Sequence, residues 1–120
     1  MTAWRSEGRT VQRIERIDPA ELARRMDSGD PPLVLDVRDA AEFAGSHIPG
    51  SVHIPYGELG ARLEKLSARD RIAAVCSGGK RSGLAASILQ RAGFANVVHV
   101  ADGGVRTWER QGNPVETGES

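Results

Sequence analysis

Short apolar runs alternate along this chain with helix-patterned stretches, each fenced by glycine or proline, and that alternation constrains the fold more than any other feature. Leu33-Val34-Leu35-Asp36-Val37 follows Pro31-Pro32 and reads as a buried strand; Ser51 to Ile54, Ile72 to Val75 and Val97 to Val100 read likewise, and Val11 to Ile14 as a weaker edge strand. Between them lie helix signals. Asp18 suits a cap, Pro19 the first helical position, and Glu21 follows three residues after the cap. Ile17 stands before that cap with the spacing to staple onto Leu22; Leu22 and Met26 share a face, and Gly29 ends the helix. Ala40 to Ala44 is a helical turn stopped by Gly45, and Glu58 to Leu66 a helix carrying Leu59, Leu63 and Leu66. Leu84, Ala85, Ile88, Leu89 and Ala92 keep helical spacing up to Gly93, where Phe94 is placed for a hydrophobic cap contact. Val105 and Trp108 mark a last short helix, closed by Gly112 and Pro114. Strands joined by helices pair in parallel and need a helix layer on each face, which predicts an α/β fold. Such sheets bind ligands beyond the carboxyl ends of their strands, so the turns after Val37, Val75 and Val100 are where chemistry is expected.

Length and charge narrow the function. The 120 residues suffice for one domain with its own core, expected over residues 11–115 between flexible segments at 1–10 and 116–120. Sixteen basic residues balance sixteen acidic ones and the two kinds are interspersed, which argues against a nucleic-acid partner. No apolar run is long enough to span a membrane, and Met1 to Thr10 lacks the apolar core of a signal peptide, so a cytoplasmic location and no membrane partner are expected. Cys76 is the single cysteine, which excludes an internal disulfide and a two-cysteine redox couple. His47, His53 and His99 have no metal-ligand spacing; each is expected to be a hydrogen-bonded structural residue, and neither a metal nor a cofactor is expected.

The chemistry concentrates in Val75-Cys76-Ser77-Gly78-Gly79-Lys80-Arg81-Ser82, where a strand ends, the cysteine follows at once, and a helix begins near Arg81 or Ser82. Gly78 and Gly79 permit positive φ, so the loop can curl with its amides pointing inward. A ring of N–H groups backed by a helix N-terminus favours an anion, and Lys80 and Arg81 add positive potential. Both effects favour the Cys76 thiolate and would equally hold a persulfide or attract a small dianion. A lone cysteine at a strand end is often an apolar filler, but a filler needs no such cradle. The loop is no nucleotide P-loop, since Gly79-Lys80 is followed by Arg81 where serine or threonine is required. A phosphatase loop places its arginine six residues after the cysteine; here Arg81 follows after five, which leaves a ring one residue short for phosphate.

Further motifs flank that loop: Leu35-Asp36-Val37-Arg38 with Glu42-Phe43, Gly45-Ser46-His47-Ile48-Pro49-Gly50-Ser51 with Ile54-Pro55, and Gly93-Phe94, Gly103-Gly104 and Trp108. With the Cys76–Ser82 loop, in this order and spacing, they resemble the rhodanese family of sulfurtransferases, in single-domain form, from about Ile14 to Pro114. The resemblance implies a three-layer α/β/α sandwich around a five-stranded parallel sheet. It also implies that Cys76 accepts sulfane sulfur from thiosulfate or a persulfide and passes it to cyanide, a thiol or a sulfur-relay protein. Ser77 and Gly78 are smaller than in many relatives, and with one domain the pocket is expected to be open and shallow.

On this reading Cys76 is the nucleophile, the amides from Ser77 to Ser82 stabilise it, and Lys80 draws in anions at the rim. Arg81 either binds the donor or turns outward to pair with an acid. Asp36 and Arg38 are supporting residues, Asp36 expected to receive loop amides and Arg38 to pair with Glu42. Trp108 is expected in the core; nothing assigns Trp4. A catalytically silent binding or sulfur-carrier module is the alternative, and a phosphatase or arsenate reductase a third reading.

Overall fold

The structure, a computed structural model, describes residues 14–66, 71–77 and 79–118. Five strands, β1 (Glu15–Ile17), β2 (Leu33–Asp36), β3 (Val52–His53), β4 (Ile72–Val75) and β5 (Val97–Val100), form one sheet in the order β1-β5-β4-β2-β3. Every pairing is parallel, with Leu35 beside Ala74 and Val52, and Ala74 beside His99. The helices are α1 (Pro19–Met26), α2 (Ala40–Gly45), α3 (Lys80–Arg91) and α4 (Gly104–Arg110). The expected three-layer α/β/α architecture is the one observed.

Both sheet faces are buried, which is why consecutive strand residues are apolar rather than alternating. Leu35, Ile72 and Ala74 face a layer with Leu59, Ala85 and Leu89, while Val34, Ala73, Val75 and Val100 face Leu22, Val105 and Trp108. The start of α1 follows its local chemistry: the Asp18 side chain accepts the Glu21 amide at 2.8 Å, Pro19 stands in the first turn, and Ile17 and Leu22 share one core cluster. A capping box that the sequence analysis did not identify starts α2, with Asp39 and Glu42 each accepting the other's amide.

The continuous helix expected from Glu58 to Leu66 is absent. Two 3₁₀ segments, Tyr56–Ala61 and Leu63–Lys65, take its place, broken at Arg62. Gly57 and Gly60 disfavour α-helix propagation, and i→i+3 bonds such as Glu58 N–H to the Pro55 carbonyl (2.8 Å) satisfy the short turns. Leu59 is buried as expected. The Val11–Ile14 strand, the 1–10 segment and Trp4 fall almost wholly outside the described residues, where the first strand is β1. Near the other end, Glu116 exchanges backbone hydrogen bonds with His47, and Gly118 N–H donates to the Ala44 carbonyl. Trp108 is buried, and its indole N–H donates to the Pro114 carbonyl at 2.7 Å.

Candidate active site

Cys76 directly follows β4, at the carboxyl edge of the sheet. Its side chain is sunk, 1% exposed, beneath the start of α3. Two backbone donors aim at its sulfur: the Gly79 N–H at 2.9 Å and the Ser82 N–H at 3.3 Å, with the Ser82 hydroxyl 3.4 Å from Sγ. Gly79 caps α3 at φ 103°, left-handed backbone that glycine adopts without strain and that turns its amide inward. The helix therefore begins at Lys80, slightly ahead of the expected position. Gly78 lies outside the described residues.

The carbonyl side of the loop is held as firmly. The Gly79 carbonyl accepts from the Gly83 amide (3.1 Å), the Ser82 hydroxyl (3.1 Å) and Nε2 of His99 (2.8 Å). Cys76's own carbonyl accepts the Val105 amide at 2.9 Å, which ties the loop to α4. That contact explains Gly104: at φ 51°, a Cβ there would lie 1.7 Å from the Cys76 oxygen. Only a bare backbone lets α4 approach so closely.

The charged residues pair differently from the sequence expectation. Arg38 binds Asp36, not Glu42, through Nε to Oδ1 at 2.9 Å and Nη2 to Oδ2 at 2.7 Å, and it also donates to the Ser46 carbonyl. Asp36 accepts the Arg38 amide as well, not the loop amides, so the two form a buried knot behind the site. Two residues apart at a strand end, they meet in the turn itself, and a buried carboxylate requires a partner. Glu42 is thereby left for Arg81, which makes a two-pronged contact at 2.7 and 3.0 Å and also donates to Ser77 Oγ at 2.9 Å. Of the two expected orientations of Arg81, the one paired with an acid is found. The Arg81 hydrogen bonds hold the Glu42 carboxyl down at a pKa of about 2, and Glu42 in turn raises the Arg81 guanidinium above its ordinary value. Lys80 is exposed at the head of α3.

A profile of the rhodanese-like domain matches residues 18–111. The chain belongs to the rhodanese-like domain family. This rhodanese-like chain is 35% identical over 104 residues to the thiosulfate sulfurtransferase GlpE of Pseudomonas savastanoi pv. phaseolicola, covering 87% of the chain and 94% of that relative. It is 38% identical over 95 residues to YrkF of Bacillus subtilis, which carries the name sulfur carrier protein; the match covers 79% of the chain but only 51% of YrkF. It also spans 25% of the Mycobacterium tuberculosis protein MoeZ, named an adenylyltransferase/sulfurtransferase, at 39% identity over 101 residues and 82% of the chain. A crystal structure of a rhodanese-like domain protein from Staphylococcus aureus superposes with a TM-score of 0.78 at 27% identity, covering 88% of the chain and all of that structure. Among these relatives, one is named a thiosulfate sulfurtransferase and one a sulfur carrier protein, and the chain spans only about half of YrkF and a quarter of MoeZ.

A cleft of about 210 Å³ lies beside Ser77 in this rhodanese-like fold, walled by Arg38, Glu42, Ser46, Arg106 and Glu109. The Arg106 side chain makes no hydrogen bond or ion pair among the described residues. The sequence analysis did not single out Arg106 or Glu109, since their place on the cleft depends on how α4 docks. A larger cavity, about 420 Å³, opens at the amino ends of β4 and β5. Its ions are already matched, Arg25 with Glu15 and Arg71 with Asp30, and the Ser28 hydroxyl on its wall donates to the Arg25 carbonyl.

Each of the three histidines donates a ring N–H to a backbone carbonyl, as expected of hydrogen-bonded structural residues: His47 to Phe43, His53 to Arg38 and His99 to Gly79. The Phe43 ring is stacked between His47 (3.8 Å) and His53 (4.5 Å). Among the described residues, no cluster of His, Cys, Asp or Glu has the makings of a metal site. No helix among them is long and apolar enough to cross a membrane.

Proposed function

We propose that this chain is a sulfurtransferase that carries sulfane sulfur as a persulfide on Cys76, taking it from thiosulfate or a small persulfide and giving it to cyanide or a thiol. The observation that carries the reading is the pair of amide donors, from Gly79 and Ser82, on a sulfur sunk at the head of α3. Fixed N–H dipoles and a helix N-terminus stabilise negative charge on that atom, whether it is a thiolate or part of a persulfide. In the first half-reaction the Cys76 thiolate attacks the outer sulfur of thiosulfate. A new S–S bond forms on Cys76, the donor's S–S bond breaks, and its electron pair leaves with sulfite. In the second, cyanide or a thiolate takes the terminal sulfur and the Cys76 thiolate is restored, with no net oxidation of the protein.

The amides of Ser77, Gly78, Gly79, Lys80, Arg81 and Ser82 form the proposed seat for the transferred sulfur. Lys80 and Arg106 supply positive potential for an anionic donor, while Asp36 and Arg38 fix the turn that carries Glu42. Arg81 is committed to Glu42 and Ser77, so its proposed part is to brace the loop. A phosphatase would need that guanidinium over the nucleophile, and the pairing with Glu42 speaks against it.

The test is an intact-protein mass spectrum after incubation with thiosulfate, repeated after cyanide. A gain of one sulfur atom, lost to cyanide and absent in Cys76→Ser, is expected; a Cys76→Ser variant that still turns over would overturn the reading. The relative named a sulfur carrier favours a second reading, in which the same persulfide goes to a protein. It predicts that Cys76 loads from a persulfide donor but releases its sulfur slowly to cyanide and rapidly to a protein thiol.

A further inference from the structure

We propose that His99 is a positioning residue for the Cys76 sulfur, acting through the Gly79 carbonyl. The inference rests on the reading of Cys76 as the sulfur-bearing group and adds a residue that the motif does not contain. His99 lies on β5, paired in register with Ala74, and so points into the layer occupied by α3. Its ring reaches the junction of loop and helix: Nε2 is 2.8 Å from the Gly79 carbonyl, and Cε1 is 3.3 Å from where a Cβ on Gly83 would stand. A carbonyl oxygen only accepts, so Nε2 carries the proton and donates it. Gly79 is also the residue whose amide is 2.9 Å from Sγ, and its left-handed backbone is where the chain turns from loop to helix. Holding the carbonyl anchors the peptide plane after Gly79, and the residue's fixed φ of 103° and ψ of -15° relate that plane to the one that carries the amide on the sulfur. Gly83 serves the same arrangement, because a Cβ there would crowd the imidazole and require it to give by a few tenths of an ångström.

The role needs a donor at the Nε2 position, not a titrating ring. A glutamine amide can reach that position; leucine fills the space without donating, and asparagine is too short. The experiment follows alkylation of Cys76 by iodoacetamide against pH in the full chain, with thermal midpoints recorded for each variant. This readout needs no sulfur donor, so it stands even if thiosulfate fails to load the wild type; the mass-spectrometric test judges that reading separately. His99→Leu and His99→Asn are expected to raise the pH midpoint of alkylation, because the thiolate loses a well-aimed donor. Where the wild type loads sulfur, these variants should load about tenfold more slowly, the loss expected for one hydrogen bond to a charged group. His99→Gln is expected to keep the wild-type midpoint and load within about threefold of the wild-type rate. The inference is overturned if His99→Leu, folded, keeps the wild-type midpoint. It is equally overturned if His99→Gln shifts as far as His99→Leu, since the ring and not its donor would then matter.

Discussion

Gly104 shows how much of the site depends on a missing atom. With a Cβ there 1.7 Å from the Cys76 carbonyl, α4 and the loop could not both keep their places. Gly104→Ala is expected to destabilise the protein by about 3 kcal/mol, through overpacking and a side chain forced to positive φ. Urea denaturation measures that loss, and sulfur loading by the folded fraction should slow as well, because the Val105 amide leaves the Cys76 carbonyl. Local chemistry at this scale was legible in the sequence: the cap of α1 and the positive-φ glycine at Gly79, whose amide reaches Cys76, both depend on neighbours in the chain. Ion partners were not, because the choice between Asp36 and Glu42 as the partner of Arg38 is made by the three-dimensional turn. Gly83 carried an unread signal. A glycine inside a helical run marks a close approach, and here the approaching group is His99.

At the scale of elements, the Glu42–Arg81 pair joins α2 to α3 across the loop. The sign of its pH dependence follows from Glu42, whose pKa falls from 4.5 to about 2 on folding. A depressed carboxyl contributes stability above its unfolded value and loses it as pH drops through the folded one, so the contribution should fade between pH 4.5 and about 2. The pair is partly exposed, so solvent screening holds the effect to about 1 kcal/mol. Comparing wild type with Glu42→Gln by denaturation across that range checks it: the difference at neutral pH should shrink on acidification. The element misread from sequence, Glu58 to Leu66, shows the limit of leucine spacing. Leu59 and Leu63 keep helical intervals, but Gly57 and Gly60 leave the backbone too little reason to hold an α-helix, and two 3₁₀ segments suffice to bury Leu59 and Leu66 and to pack Leu63 against the core.

Across the whole molecule, the segment after α4 closes one end of the fold. It receives the Trp108 indole proton at Pro114, pairs with His47 at Glu116 and reaches Ala44 at Gly118. None of these bonds touches Cys76. Truncation after Asn113 is therefore expected to lower stability by roughly 3 kcal/mol, from several hydrogen bonds and an uncovered tryptophan, while leaving the loading rate at low temperature nearly unchanged. Thermal melting and single-turnover loading together check this separation. The parallel sheet and its two helix layers were readable from the order of apolar runs, because a parallel topology is the simple solution for strands joined by helices. The cleft beside Ser77 was not, since it is made by surfaces from α2 and α4 that meet only in the folded chain.

The depth of the cysteine has a consequence for traffic. At 1% exposure the resting sulfur is a recessed target that slender reagents reach and bulky ones do not. A second sulfur extends the reactive end by about 2 Å, one S–S bond length. On the proposed function, the resting form would be a sieve on what can deliver, while the loaded form would hold its cargo at the doorway. Bulky maleimides should label the empty protein slowly and the charged protein quickly, so that loading itself announces to an acceptor that there is something to collect.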